Sequence, residues 1–293
     1  MTIPLPFRDA PEGVFLGMPE AEYHASPGIS HSILKRMQPT LAHGKAFLDG
    51  LESQEQEDNI NLIIGSLVHH VLLTPDVPLP KIVMEPETYP PDGKKWHNGA
   101  NWCKEWYVEQ KRKGLLALTK KDWDTVVGCV KSLAGHPYVQ KLMAAGHSEV
   151  SVFKRAVNGA LTKFRLDHVP FGTALLDFKT VASAGDASPH RFARTMAERG
   201  YGTQASWYFD GFNELEFSPL RPDWWELKSH FLFAVVEKEP PYAVAIYMVD
   251  PEDMQRGREK NWARLEGMAQ AQASGVWPGY AEEPTLIKLP AWA

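Results

Sequence analysis

The spacing of apolar and polar residues predicts a mainly helical first half of the chain. A helix begins in "SHSILKRM", with Ser30 as its N-cap, and a second spans residues 59–74 and ends before Pro75. Residues 76–100 are dense in Pro and Gly, which predicts a long loop with at most one strand. Helical spacing returns over about 101–145.

From about residue 146 the pattern changes to the two-residue alternation that is typical of strands. The short turns "NGA" and "PFG" separate three predicted strands, which together form a meander. The predicted elements are strands at 148–157, 160–169 and 173–181, helices at 188–200 and 202–215, a strand pair within 230–250, and a helix over about 251–273.

This order of elements predicts an α/β or α+β fold, with a central mixed β-sheet flanked by helices. The 293 residues show no internal repeat and suit a single domain. We expect an irregular N-terminal arm over 1–30, a mainly helical part over 31–145, the sheet core over 146–250, and a C-terminal helix and tail over 251–293.

The composition is that of an ordinary globular protein. No apolar run approaches the roughly 18–20 residues that cross a bilayer, and "MTIPLPFRDAPEG" lacks the features of a signal peptide, so we expect a soluble intracellular protein with no membrane partner. The two cysteines, Cys103 and Cys129, cannot form a disulfide framework and are interpreted as core thiols.

Charge is distributed unevenly along the chain. The net charge is −5, yet residues 151–200 hold eight Lys or Arg against four Asp or Glu. A solvated helix face would give the same imbalance, so it favours an anionic substrate only modestly.

The strand segment "TALLDFKTV" places opposite charges in an apolar run. Alternation puts Asp177 and Lys179 on one face, and Arg165 and Asp167 share a face on the preceding strand. A short turn through 170–172 can bring Asp167 beside Asp177, where two carboxylates repel unless protons, cations or a metal compensate. A divalent metal would resolve the conflict and activate water for hydrolysis. A surface ion pair on an edge strand is the simpler explanation of a D-x-K tripeptide taken alone.

Two helices carry further polar pairs at helical spacing. His69 lies four residues after Gly65, and Gln204 and Tyr208 share one face of another helix. Each pair alone is typical of packing, but chance rarely produces them together and in this order.

The combined motifs G-x-x-x-H (65–69), R-x-D (165–167), D-x-K (177–179) and Q-x-x-x-Y (204–208) resemble those of the PD-(D/E)XK nuclease superfamily, in its RecB-like and RecE-like phage exonuclease branch. Segments such as "EYHASPGISHSILKRM", "YGTQASWYFDGF" and "WPGYAEEPTLIKLPAWA" extend the resemblance over nearly the whole chain.

The resemblance implies roles for the motif residues. Asp167, Asp177 and His69 match metal ligands, and Lys179 matches the catalytic lysine. His70, which follows His69, projects about 100° away from it on a helix and is expected to pack. Residues expected to contact DNA or support the site are Gln204, Tyr208, Arg165, Arg191 and Arg194, with Glu149 as a candidate outer carboxylate.

The resemblance also implies an activity. One or two Mg²⁺ or Mn²⁺ ions would support exonucleolytic hydrolysis of linear double-stranded DNA from 5′ to 3′, which leaves 3′ overhangs for a RecT-like single-strand annealing protein. A homo-oligomeric ring and a cytoplasmic location are expected. Two cysteines cannot supply the four-cysteine iron–sulfur cluster of some relatives, so we predict none. A structure-specific or restriction-type endonuclease, or a non-catalytic DNA-binding relic of the fold, are the alternatives.

Overall fold

A computed structural model describes residues 12–50, 59–88, 93–97 and 99–289 of the chain. Its centre is a six-stranded sheet in the order β1-β4-β5-β6-β7-β8. Neighbouring strands are antiparallel except β6 and β7, which are parallel, so the predicted mixed sheet is confirmed. The strands are β1 (Gly13–Phe15), β4 (Gly146–Arg155), β5 (Leu161–Pro170), β6 (Ala174–Val181), β7 (His230–Glu237) and β8 (Val244–Met248), while β2 (Ile82–Met84) and β3 (Leu116–Leu118) form a separate parallel pair.

Helices account for most of the remaining regular structure. Ser30 caps the second of them by accepting a hydrogen bond from the Ile33 amide, as predicted. No described helix is long and apolar enough to cross a membrane. The helices are α1 (Glu20–Ala25), α2 (His31–Arg36), α3 (Leu41–Leu48), α4 (Ile60–Leu73), α5 (Asn101–Arg112), α6 (Lys120–Gly135), α7 (Pro137–Met143), α8 (Pro189–Arg199), α9 (Tyr201–Asn213) and α10 (Pro251–Ser274).

The central sheet buries a different apolar core on each face. Leu175 of β6 packs in the core beneath α8 and α9, whereas Leu176 and Phe178 pack in the core beneath α4 and α6. The alternation predicted for this strand is therefore present. Because Asp177 and Lys179 follow Leu175 at intervals of two, they lie on the α9 face of the sheet.

Two parts of the sequence-based prediction are wrong. The arm over 1–30 was expected to be irregular, but its described part contains β1 and α1. The region 101–145 was expected to be mainly helical and to hold no strand, but β3 interrupts it and pairs with β2. Strands of three residues are too short to show a period, and each of these pairs with a strand far away in sequence. Local pattern therefore carries no signal for them.

Candidate active site

The strands β5 and β6 separate at the point where they carry their acidic residues. Their one backbone pair in the described sheet is His168 with Leu176. Asp167 precedes His168 and Asp177 follows Leu176, so on these antiparallel strands both acids lie on the same side of this pair. The Asp167 carboxylate crosses the gap and accepts a hydrogen bond from the Phe178 amide through Oδ2, at 2.8 Å. The structure thus brings the two predicted acids to the same opening in the sheet.

Asp177 is a buried carboxylate with too few partners. It is 2% exposed, and its Oδ2 lies 2.6 Å from the Lys179 ammonium. Apart from this ion pair, neither carboxylate oxygen has a hydrogen-bond partner among the described residues. A buried carboxylate normally fills its lone-pair sites with donors or a cation. The site therefore offers acceptor capacity that the protein leaves unused.

Lys179 is the cation closest to these acids. Its Nζ lies 4.7 Å from the centre of the Tyr201 ring and 5.6 Å from that of Phe233. Burial alone would lower the pKa of Lys179, but the charges of Asp177 and Asp167 outweigh this effect and raise it above the usual value. The side chain therefore stays protonated and acts as a fixed positive charge.

For Asp167 the surroundings favour the neutral form of the side chain, whereas for Lys179 they favour the charged form. Burial, followed by repulsion from Asp177, raises its pKa from the usual value of 3.8 to about 7, although His69 and Lys179 act against the shift. Asp167 therefore binds a proton more readily than an ordinary carboxyl group. A divalent cation between Asp167 and Asp177 would displace that proton.

His69 faces Asp167 with its second ring nitrogen. Its Nε2 lies 3.0 Å from the carbonyl oxygen of Phe178, and because a carbonyl can only accept, Nε2 carries the hydrogen. Nδ1 therefore faces Oδ2 of Asp167, at 3.6 Å. A proton on Nδ1 or a cation between the two atoms would satisfy both. A backbone carbonyl that fixes the free nitrogen is also the usual support of a metal-binding histidine.

The donor set fits a hard divalent cation, but the described residues do not preassemble a complete site. Nowhere in the described ranges do three His, Cys, Asp or Glu side chains gather closely enough to hold a metal ion by themselves. Asp167, Asp177 and His69 provide carboxylate oxygens and an imidazole nitrogen, which Mg²⁺ or Mn²⁺ accepts beside water and phosphate oxygens.

Glu149 and Arg165 form an ion pair beside Asp167. Glu149 lies on β4 opposite Asp167, and its φ of 54° is in the left-handed region that non-glycine residues rarely adopt. Its carboxylate accepts from the Arg165 guanidinium, which also donates to the Met18 carbonyl and to Ser151 Oγ. Arg165 is therefore held by protein groups, and such backbone strain is often found at functional sites.

Gln204 and Tyr208 lie on the part of α9 that covers the pocket. The Tyr208 ring stacks on Phe164, with ring centres 6.0 Å apart. Burial, followed by the charges of Tyr23 and Asp177, raises the pKa of Tyr208 well above its usual value, while a hydrogen bond with Gln204 opposes the shift. Tyr208 is thus a neutral hydroxyl close to the acidic residues.

The remaining predicted residues lie outside this pocket. Arg191 pairs with Asp186 at 2.5 Å and Arg194 pairs with Glu198 at 2.8 Å, both on the exposed side of α8. His70, expected to pack, bonds the carbonyl of Val77 through Nε2 at 3.0 Å.

A comparison with protein families gives this geometry a context. Residues 30–290 match the model of a family described as a PDDEXK-like domain of unknown function (DUF3799). The chain belongs to this PDDEXK-like family. Membership confirms the superfamily that the motifs indicated, and it supports a nuclease of the hydrolase class.

A solved structure has the same fold as this PDDEXK-like chain. The crystal structure of a candidate exonuclease from Eubacterium rectale is 17% identical, covers 94% of this chain and 96% of its own, and has a TM-score of 0.59. The structure of SSO0001 is 12% identical over 71% of this chain and 87% of its own, and its TM-score of 0.27 supports no conclusion. No curated protein matches the sequence.

Sequence reasoning missed two parts of the PDDEXK-like site. The first is the backbone of Phe178, which bonds both Asp167 and His69, and no side-chain pattern reveals such a role. The second is Tyr201, whose ring lies beneath Lys179. Its position three residues before Gln204, on one side of α9, is a signal that could have identified it.

Proposed function

We propose that this protein is a metal-dependent nuclease that hydrolyses phosphodiester bonds in DNA. The observation that carries the proposal is the buried Asp177 carboxylate, which has no hydrogen-bond partner in the described part of the chain apart from its ion pair with Lys179. It lies beside Lys179 and next to Asp167, whose Oδ2 faces Nδ1 of His69. Family membership supports the same conclusion.

In this proposal Asp167, Asp177 and His69 hold one or two Mg²⁺ or Mn²⁺ ions. A bound divalent ion would neutralise the phosphate charge and ease attack by water. The Phe178 backbone keeps both Asp167 and His69 oriented, because its amide and its carbonyl bond one of them each. Tyr208 and Gln204 support the pocket from α9.

Lys179 contributes a fixed positive charge. Because Asp177 and Asp167 raise its pKa, it is an ammonium in the protein without metal. It would donate hydrogen bonds to the attacking water and to the phosphate oxygen on which charge develops. The Tyr201 and Phe233 rings exclude water around it, which strengthens this interaction.

The finer proposal concerns the substrate. We infer an exonuclease that digests linear double-stranded DNA from 5′ to 3′ and leaves 3′ overhangs for a RecT-like annealing protein, as a homo-oligomeric ring in the cytoplasm. The motif resemblance supports this inference. The fold shared with a candidate exonuclease is consistent with it.

The test uses the purified protein with Mg²⁺ or Mn²⁺ on linear duplexes labelled at the 5′ or 3′ end, beside a closed circle. The proposal expects digestion of the linear DNA from its 5′ end and an intact circle. Nicking of the circle would instead assign the site to an endonuclease.

Asp177→Asn is the decisive variant, and Asp253→Asn is its control, because Asp253 is an exposed acid paired with Arg256 on α10. Asp177→Asn should abolish digestion, and Asp253→Asn should digest DNA like the wild type. Full activity of Asp177→Asn would refute the proposed site.

A further inference from the structure

Three cations from separate elements lie around the end of β6 that carries Lys179. Lys35 comes from α2, Arg199 ends α8, and Lys238 follows β7; together they are called the basic rim. The Lys35 ammonium donates to the carbonyl of Arg199 at 2.8 Å. The Lys238 amide donates to the carbonyl of Val181 at 3.0 Å.

These contacts place the basic rim beside the catalytic lysine. Arg199 is two residues before Tyr201, and the Tyr201 ring lies 4.7 Å from Lys179 Nζ. On the other side, Val181 is two residues after Lys179 on β6, and Lys238 is bonded to it. The rim is therefore continuous with the pocket, although no rim residue belongs to the sequence motifs.

The positive charge of the rim is not neutralised by the described residues. No carboxylate of the described residues forms an ion pair with Lys35, Arg199 or Lys238. The ammonium groups of the two lysines instead bond neutral oxygens, the Arg199 carbonyl and the side chain of Asn61.

The acids closest in sequence to the rim have other partners. Glu198 pairs with Arg194, Glu237 accepts from the amides of Gly185 and Ala187, and Glu239 accepts from the amide of Ala184. Among the residues that the structure describes, these acids are thus engaged elsewhere, which leaves the positive charge of the rim for an external anion.

Like charges also crowd one another here. Burial and then the charge of Arg199 lower the pKa of Lys35, and the same two effects lower the pKa of Lys238. The N-terminus of the 13-residue helix α9 adds positive potential, since its N-cap is Gly200, which has no side chain with which to cap the helix. Such crowding is unfavourable unless an anion binds.

We propose that the basic rim binds backbone phosphates of the DNA strand whose scissile bond lies at Lys179. This inference rests on the proposed nuclease function and adds to it the residues that hold the strand outside the metal pocket. It also explains how a chain of net charge −5 would retain DNA, because the positive charge is concentrated where the strand must lie.

The experiment measures binding of a fluorescent linear duplex by anisotropy in Ca²⁺ over a series of salt concentrations. The variant is Arg199→Gln/Lys238→Gln, and the matched control is Lys113→Gln/Arg256→Gln, which removes two cations that pair with acids on α5 and α10. Thermal unfolding checks that both double variants are folded.

If the rim binds phosphates, the plot of log binding constant against log [salt] becomes less steep in the rim variant. The magnitude of its negative slope decreases by about 2, since each lost phosphate contact removes about 0.9. The affinity of the rim variant at low salt falls at least about tenfold, and the control keeps both values. A rim variant that matches the control in slope and affinity overturns the inference.

Digestion by the wild-type protein separates this inference from the proposed function. Digestion combined with an unchanged slope in the rim variant refutes the rim and leaves the nuclease. A reduced slope without digestion in Mg²⁺ or Mn²⁺ supports the rim and refutes the nuclease.

Discussion

Two charged clusters contact helix α9, and they differ in how completely their charges are paired. In one, Asp210 accepts two hydrogen bonds from Arg258, at 2.8 and 2.6 Å, and Lys154 pairs with Glu214. Each acid in this Asp210 cluster has its own cation. Groups that are satisfied in this way hold elements together, here β4, α9 and α10, and need no ligand.

The second cluster, made of Asp167, Asp177, Lys179 and His69, has two acids that share one lysine. The first cluster is balanced within the protein, whereas the second becomes balanced only when something binds. Incomplete pairing is thus the physical feature that distinguishes the proposed active site from a structural cluster in this molecule.

The largest expected effect follows from removing the shared lysine. Lys179→Met leaves the two acids and the phosphate without a fixed positive charge, so turnover of linear DNA should fall about a thousandfold. Lys154→Met removes a similarly buried lysine from the Asp210 cluster and should change turnover only a few-fold. Initial rates with Mn²⁺ measure both, and equal losses in the two variants would contradict the contrast.

Metal binding should distinguish the clusters by stability. At a concentration about a hundred times its dissociation constant, Mg²⁺ or Mn²⁺ should raise the free energy of unfolding by about 2.7 kcal/mol. Asp177→Asn should remove this stabilisation, while Asp210→Asn should retain it. Denaturant unfolding with and without metal measures the difference, and an equal gain in Asp177→Asn would place the ion elsewhere.

Breaking a balanced pair should cost stability in the protein without metal. Asp210→Ala leaves the partly exposed Arg258 without its carboxylate partner, so we expect the free energy of unfolding to fall by about 1–2 kcal/mol. Asp177→Ala relieves the repulsion of Asp167 and leaves Lys179 with Asp167 as a nearby acid, so it should cost less. Urea unfolding of the two variants in EDTA tests the order, and a greater loss in Asp177→Ala would mean that this cluster also stabilises the fold.

The sequence predicts one part of the active site well. Strand alternation puts Asp177 and Lys179 on one face, and the short turn after β5 brings Asp167 to them, because both effects depend only on neighbours in the chain. The same reasoning finds β4 to β8 and most helices.

Other features depend on contacts that local pattern does not encode. Arg165 donates to Glu149 and to the Met18 carbonyl. Both contacts depend on distant features, the left-handed backbone of Glu149 and the position of an N-terminal segment. The pairing of β2 with β3 joins two strands of three residues across a helix. In each case distant packing determines the outcome.

The smallest expected effect concerns acid stability beside the unbalanced cluster. Thr203 Oγ1 donates to the carbonyl of Gly200, so His31 donates to Thr203 from Nε2, at 2.8 Å. Burial, followed by the charges of Lys35, Arg264 and Lys179, lowers the pKa of His31 from 6.5 to about 3. This excess of positive neighbours is a property of the Asp177 side of the molecule.

The sign of this pH dependence of stability follows from proton binding by the folded and the unfolded chain. Between pH 6.5 and about 3 the unfolded chain binds a proton at His31 and the folded protein does not, so stability falls as pH decreases. From pH 7.5 to 5.5 the wild type should lose about 1 kcal/mol more than His31→Asn. Urea unfolding at the two pH values measures the difference. If the wild type and His31→Asn lose the same stability, His31 is protonated in the folded protein, and the acids of the Asp177 side already balance the cations around it.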